Sequence, residues 1–284
     1  MPVELKNLNY SYMPGSPFEV RALKDVSLRI GDGEFVGIIG HTGCGKSTLI
    51  QQMAGLLTPS GGIVEVNGED INAAGYDRKK LRRILGVVFQ YPEYQLFEET
   101  VGKDVAFGPA KTGMSEEEVS KSVDDALRLM DLDPEKIRDV SPFDLSGGQK
   151  RKVAIAGVLA MKPQILILDE PIAGLDPIGR EQFMQLIRRL NGQGTTIIMI
   201  SHNMDGLADY ATRVVAMDHG EIYMDGTPKE VFSDIEKLQA VGLNASEARQ
   251  AAYLLKQCGW DIPPDIITKQ ELVDFIKAYK EGSK

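Results

Sequence analysis

Nowhere in the 284 residues does an apolar run approach the roughly 18–20 needed to cross a bilayer. The longest candidates, residues 35–39, 165–168 and 197–200, have the length of buried strands. Cysteine is just as scarce. Cys44 and Cys258 are the only two, too few for a disulfide framework. Positive charge is also short, since 32 Lys+Arg against 41 Asp+Glu leave a formal net charge of −9. That deficit argues against a protein held on nucleic acid by a basic surface. It leaves a phosphate ligand open, because backbone N–H groups and one or two cations make a small pocket positive inside an acidic protein. No basic-then-apolar leader opens the sequence, and there are no internal repeats or low-complexity tracts. The expectation is a cytosolic chain whose membrane role, if it has one, comes through a partner.

The apolar pattern gives one large α/β unit with additions. Before residue 70 it is strand-like. Val26, Leu28 and Ile30 alternate with polar residues, residues 35–39 are apolar throughout, and residues 63–66 end in an Asn67-Gly68 turn. Between them a helix is predicted through Leu49, Ile50, Met53, Leu56 and Leu57, stopped at residues 59–62. From about residue 91 the character turns helical, with a capping box at Ser115 and Glu118 and a second helix over 146–161. Strands at 164–168 and 195–200 flank a helix at 180–190, the order of a parallel sheet with right-handed crossovers. Residues 213–224 read as a hairpin. The last fifty residues read as an appendage: an alanine-rich helix over 244–258, a break at 259–264, and a helix capped by Thr268 and Glu271. That last helix carries Leu272, Phe275, Ile276 and Tyr279 on one stripe, which either packs on the chain's own core or meets a partner.

Residues 40–47, Gly-His-Thr-Gly-Cys-Gly-Lys-Ser, match G-x-x-x-x-G-K-[ST] between a buried strand and a helix. Gly40, Gly43 and Gly45 let the backbone turn tightly and point amides inward as an anion nest, with His41, Thr42 and Cys44 between them. The helix N-terminus, through Ser47 and Thr48, adds its dipole and free amides. Lys46 reaches the β- and γ-phosphates, and Ser47 can ligate Mg²⁺. Cys44 reads as a small filler of the loop, with a reactive thiol as the alternative.

About 120 residues later a hydrophobic strand ends in Asp169-Glu170-Pro171, which places two carboxylates at the C-terminal sheet edge where open α/β sheets bind ligands. On its own the pair is an ordinary solvated strand end. Beside a phosphate cradle, Asp169 is a metal ligand, directly or through water, and Glu170 orients or deprotonates a water attacking the γ-phosphate. His202 follows another core strand and belongs at the same edge, within reach of the γ-phosphate. His41 and His219 read as loop residues without side-chain chemistry. A second anion-binding element, Leu145-Ser146-Gly147-Gly148-Gln149, opens the helix after it with Ser146 as N-cap, but within the helical insert.

Residues 40–47, Gln90, residues 145–149, Leu168-Asp-Glu-Pro171, Gly174-Leu-Asp176 and His202, in this order and spacing, resemble the ATP-binding cassette (ABC) ATPases over about residues 3–230. The resemblance implies an α/β P-loop NTPase fold of the ABC-ATPase type. Its parts are a parallel core sheet, an N-terminal antiparallel β subdomain, a helical insert and a small C-terminal helical extension. The ATPase domain would span residues 1–234, with the helical subdomain at about 91–161. Residues 235–284 would form the extension, which helps to hold the pair together. The cofactors implied are ATP and Mg²⁺, with Ser47, Gln90 and Asp169 on the metal and Glu170, His202 and Lys46 catalytic. Tyr12, or alternatively Tyr10, would stack on adenine, with core packing as the competing role. In such a pair, residues 145–149 of one cassette cap the nucleotide in the cradle of the other, and Asp176 crosses the interface. Gln90 relays the state of the γ-phosphate into the helical insert. Ile172, where many members carry a small polar residue, and Pro142-Phe143 before the capping element depart from the family pattern.

Residues 91–101, Tyr-Pro-Glu-Tyr-Gln-Leu-Phe-Glu-Glu-Thr-Val, further resemble the ATPases of energy-coupling factor (ECF) importers of vitamins and transition-metal ions. That resemblance implies three partners: a second ABC ATPase (the same chain or a paralogue), a membrane-embedded coupling subunit, and through it a substrate-binding membrane protein. Nucleic acid is not among them. The location implied is peripheral, on the cytoplasmic face of the cell membrane. Tyr94, Leu96 and Phe97 are contact candidates, at least one of which packs inside the insert. The alternatives are the ATPase of another ABC transporter class and a soluble ABC ATPase without a transport role.

Overall fold

The computed structural model describes residues 2–282. The chain opens with β1 (Val3–Tyr12), β2 (Val20–Ile30) and the short buried β3 (Phe35–Gly40), followed by α1 (Lys46–Met53), β4 (Gly61–Val66) and β5 (Glu69–Asp70). Then come α2 (Arg78–Ile84) and β6 (Leu85–Val88), and a helical block of α3 (Val101–Lys111), α4 (Glu116–Leu129), α5 (Pro134–Ile137) and α6 (Gly147–Leu159). Strand and helix alternate through β7 (Ile165–Asp169), α7 (Pro177–Gly192), β8 (Thr196–Ile200) and α8 (Met204–Tyr210). The hairpin of β9 (Arg213–Asp218) and β10 (Glu221–Gly226) leads to α9 (Pro228–Ser233), α10 (Ile235–Ala240), α11 (Glu247–Gln257) and α12 (Lys269–Gly282).

Two sheets result. The first is antiparallel with order β2-β1-β4-β5, and the second runs β10-β9-β3-β8-β7-β6. The second is parallel from β9 to β6, with β10 antiparallel at its edge. Its strands read as continuous apolar runs because both faces are covered. Val36, Ile38, Ile165, Ile167, Ile198 and Ile200 pack with Leu5, Leu28, Leu49 and Ile50 from the antiparallel sheet and α1. The alternate residues Phe35, Ile39, Leu166, Leu168, Ile197 and Met199 pack with Val105, Val153 and Ile187 of the helices. One sheet thus divides two cores, and its C-terminal edge carries the ends of β3, β6, β7 and β8 together.

The helix after the glycine-rich turn ends at Met53, four residues before the predicted Leu57, and Leu56 is exposed. Gly55 adopts φ 67°, its N–H donates to Gln52 O, and that of Leu56 donates to Gln51 O, a Schellman closure that stops the helix before the proline. Residues 69–90, unassigned by sequence periodicity, form β5, α2 and β6. Asp77 caps α2 by accepting from Lys79 N, and β6 joins β7 in parallel. The capping box at Ser115 and Glu118 is present. The alanine-rich helix starts at Glu247, three residues later than predicted, because Ser246 serves as its N-cap.

The C-terminal fifty residues are less detached than their sequence implies. Ile235, Leu238, Leu243, Ala245 and Ile267 belong to the main core, while Ala252, Ile262 and Ile266 make a small cluster with Leu272 and Phe275. The stripe on α12 therefore packs partly on α11, and Tyr279 stacks on Trp260 at 4.3 Å. The extension's residues 283–284, and residue 1, lie outside the described residues. Among the described residues, no helix is long and apolar enough to cross a membrane.

Candidate functional site

A cleft of about 990 Å³ opens at the C-terminal edge of the parallel sheet. Its floor is the turn between β3 and α1. Gly43 (φ 84°) and Gly45 (φ 109°) take left-handed backbone, and a Cβ on Gly45 would lie 2.5 Å from Ala22 O. Gly40 is confined by contact: a Cβ there would meet Cys44 Sγ at 2.4 Å and Met217 O at 2.6 Å. Cys44 is buried, filling the space under the loop as a small side chain. Lys46 is buried too, its ammonium donating to Gly40 O at 2.6 Å and His41 O at 2.9 Å, which centres the positive charge in the loop. Thr42, Ser47 and Thr48 line the cleft with it. The His41 side chain turns the other way, toward Asp218, with Nε2 2.9 Å from Oδ1.

Across the cleft the ends of β7 and β8 deliver the acids and the histidine. Burial pushes the Asp169 carboxyl above the ordinary carboxylate range, and the Lys46 charge and a hydrogen bond from Ser47 pull it back. Burial also raises Glu170, against the opposing pull of His202. Glu170 has φ 49°, left-handed backbone for a bulky residue, a strain that clusters at functional sites. One of its oxygens accepts from His202 N at 3.4 Å. The other is buried, with His202 Nε2 3.4 Å away but not aligned as a donor. This acceptor-rich pocket suits a small polar guest such as water. Gln90, just beyond β6, reaches the same cleft, as does Tyr12, whose hydroxyl lies 3.1 Å from Thr48 Oγ1. Tyr12 is 39% exposed at the rim, whereas Tyr10 is half-buried against the core.

The Ser47 hydroxyl, open to the cleft, and the half-buried Asp169 carboxylate it hydrogen-bonds are hard oxygen donors placed together, which fits Mg²⁺. A dication there would offset the burial penalty carried by Asp169.

The structure does not bring the second anion-binding element to this cleft. Ser146 caps α6, with its Oγ accepting from Gln149 N and Gln149 Oε1 accepting from Ser146 N at 3.1 Å, so the glutamine closes a capping box. Leu145 anchors the turn against the main core. Ser146, Gly148, Gln149 and Asp176 border a separate cavity of about 680 Å³. The Asp176 carboxylate accepts from Gly179 N at 2.7 Å and caps α7. Of the contact candidates, Tyr94 (85% exposed) and Phe97 stand in solvent, and Leu96 is the one that packs inside. The departures Ile172, buried, and Pro142-Phe143, in a short 3₁₀ turn, leave these elements intact.

Two groups of residues escaped the sequence reading. Arg151, buried on α6, donates to Ala173 O at 2.6 Å and to Pro171 O, tying the second element to the loop after the acids. Burial lowers its pKa while Glu93, from the segment after Gln90, supports its charge. An arginine one turn into a serine-capped helix that opens on two glycines is the only local hint of this. The second group is Asn244, Glu247 and Gln250, which border the cleft from the extension, while Asp205 Oδ1 accepts from Glu247 N at 3.0 Å. No local signal marks such a long-range contact.

The sequence profile described as ABC transporter matches residues 23–173. The "Energy-coupling factor transporter ATP-binding protein EcfA2" of Caldanaerobacter subterraneus subsp. tengcongensis is 49% identical over 285 residues, covering 100% of this chain and 99% of that protein. Its namesake in Symbiobacterium thermophilum is 50% identical over 284 residues, covering 100% and 98%. Among solved structures, cbiO1 from Clostridium perfringens, described as part of the ABC transporter complex cbiONQ, superposes with TM-score 0.72 at 40% identity, over 89% of this chain and 98% of that one. The ATP-binding cassette MJ0796, in a dimeric post-hydrolysis state bound to ADP and Pi, gives TM-score 0.71 at 33% identity, over 79% and 98%. With the cradle, the acid pair and the capped glycine turn in place, the chain belongs to the ABC transporter family as one of its ATP-binding cassettes.

Proposed function

We infer that the chain is the ATP-hydrolysing subunit of an ECF-type importer, energising uptake of vitamins or transition-metal ions from the cytoplasmic face of the membrane. Lys46 and the loop amides bind the β- and γ-phosphates, and Tyr12 holds the adenine face. Ser47, Gln90 and Asp169 would hold Mg²⁺, which supplies charge neutralisation on the phosphates. Glu170 orients or deprotonates the attacking water, and His202 holds the γ-phosphate in line.

What carries this reading is the separation of the two anion-binding elements. The cradle lines one cavity and the Ser146–Gly148 turn lines another, so a single chain does not close both on one nucleotide. Two cassettes, of this chain or of this chain and a paralogue, arranged head to tail would. The full-length resemblance to proteins named as ECF ATP-binding subunits supports the importer class. Exposed Tyr94 and Phe97 suit the coupling subunit, through which the substrate-binding membrane protein joins the assembly.

Two experiments test this. Glu170→Gln should bind ATP, lose turnover by on the order of 100-fold or more, and elute from gel filtration as an ATP-dependent pair. Normal turnover by that variant removes Glu170 from its role. Gentle detergent extraction should recover the chain with a coupling subunit and small substrate-binding membrane proteins. Recovery with a permease that carries its own substrate site instead points to another transporter class.

A further inference from the structure

We propose that His41, Asp218 and His219 form a three-ligand site for a borderline transition-metal dication, of which Zn²⁺ is the representative. None of the three residues lines the cleft, although His41 sits in its floor loop, and the site does not rest on the importer reading. β3 and β9 are parallel neighbours, paired at Gly40 and Met217, so the residues that follow each strand emerge side by side. The backbone fixes the two turns together: Gly220 N donates to Cys44 O at 3.0 Å, and Lys24 N donates to Gly220 O at 2.8 Å. One ligand atom from each of His41, Asp218 and His219 lies within 4.8 Å of the others. His41 Nε2 is 2.9 Å, and His219 Nε2 3.8 Å, from the same Asp218 oxygen.

The hydrogen-bonding of His41 gives this cluster its chemistry. Its Nδ1 lies 2.9 Å from Thr42 O, a carbonyl that only accepts, so Nδ1 carries the hydrogen. In the neutral ring the Nε2 lone pair then faces a carboxylate oxygen, acceptor against acceptor, and a cation between them resolves the conflict. A ring N–H held by a backbone carbonyl is also the arrangement that orients metal-ligating histidines. Two imidazoles and one carboxylate suit Zn²⁺, Ni²⁺ or Co²⁺, whereas Mg²⁺ prefers an all-oxygen set such as Ser47 and Asp169. Three protein ligands leave a fourth position for water. His219 is held at φ 45°, left-handed for a non-glycine residue, in the turn that presents it to the other two.

The test is a Zn²⁺ titration of the tag-free, full-length, nucleotide-free chain in excess Mg²⁺, read by competition with a chromophoric chelator. A Cys258→Ser background removes the exposed thiol. The expected result is one equivalent bound, with affinity at least about tenfold weaker in His219→Asn and in Asp218→Asn. Asparagine keeps the left-handed turn, and the His219 side chain is 79% exposed, so His219→Asn folds and decides the matter even if Asp218→Asn does not. Co²⁺ in place of Zn²⁺ should give the visible absorption of a tetrahedral site in the unsubstituted chain and lose it in His219→Asn. Unchanged affinity in His219→Asn, or no binding at about 100 μM Zn²⁺, overturns the proposal.

Discussion

Among the described residues, the cradle and the Ser146–Gly148 turn are both glycine-rich, and their glycines are constrained by different things. In the cradle, a Cβ on Gly40 or Gly45 collides with this chain's own Met217 O or Ala22 O, and Gly45 is left-handed as well. In the Ser146–Gly148 turn, a Cβ on Gly147 or Gly148 meets nothing within 4 Å, and neither glycine has positive φ. Intramolecular packing explains the first pair and leaves the second without a role. The second pair makes sense if close approach is demanded by another molecule, as the head-to-tail pair demands it. On the proposed pairing the two turns answer to different neighbours, one inside the chain and one outside it, and substitutions should separate them.

The largest effect belongs to Lys46→Ala. It removes the cation centred in the loop, and turnover should fall by on the order of 100- to 1,000-fold, with ATP affinity of the single chain falling too. Equilibrium binding of a fluorescent ATP analogue checks the second part. Retained affinity would mean that the loop amides alone hold the phosphates. Gly148→Val is the sharper probe of the difference between the turns. Open space around Gly148 means the folded chain accepts the valine, and melting temperature and single-chain ATP affinity should stay as they are. ATP-dependent pairing on gel filtration should vanish, and turnover should drop by on the order of 100-fold. Normal pairing would show that the turn faces solvent throughout the cycle. Gly45→Ala reverses this pattern: it should destabilise the fold by about 1–3 kcal/mol, read by denaturant melts, because the methyl meets a backbone carbonyl that does not yield.

How much of this was legible in the sequence follows the same division between local and distant causes. Residues 40–48, the capping box at Ser115, the N-cap at Ser146, and the acids after residues 165–168 were readable because each depends on chemistry within a few residues of itself. The end of α1 was misplaced because Gly55 acts as a stop through backbone geometry, while the more conspicuous proline lies outside the helix. β6 was missed because a four-residue strand following directly on α2 has too few residues to show a period. The turning of His41 away from the cleft, the reach of Arg151 to residues 171 and 173, and the border that Glu247 gives the cleft join residues far apart in the chain. No window along the sequence contains both partners. The extension's share of the main core was hidden for the same reason, since Leu238 and Ile267 carry no mark of what they pack against.

The smallest effect concerns the carboxylates of the cleft. Burial raises the Glu170 pKa above its unfolded value, so the folded state binds this proton more tightly than the unfolded chain does. Stability then falls as pH rises through the interval between the two values, and above it the ionised group is a standing cost. Glu170→Gln removes that cost, and the strained backbone is kept in both forms. At about pH 8 the variant should melt on the order of 2–4 °C above the unsubstituted chain, and the gap should narrow as pH is lowered through the carboxylate range. A gap of constant size would trace the difference to packing and leave the acid's ionisation out of it. No such pH-dependent gap is expected for Gly148→Val, because that turn holds no titrating group, and the contrast again separates a site built at internal cost from one that, on the proposed pairing, a neighbour completes.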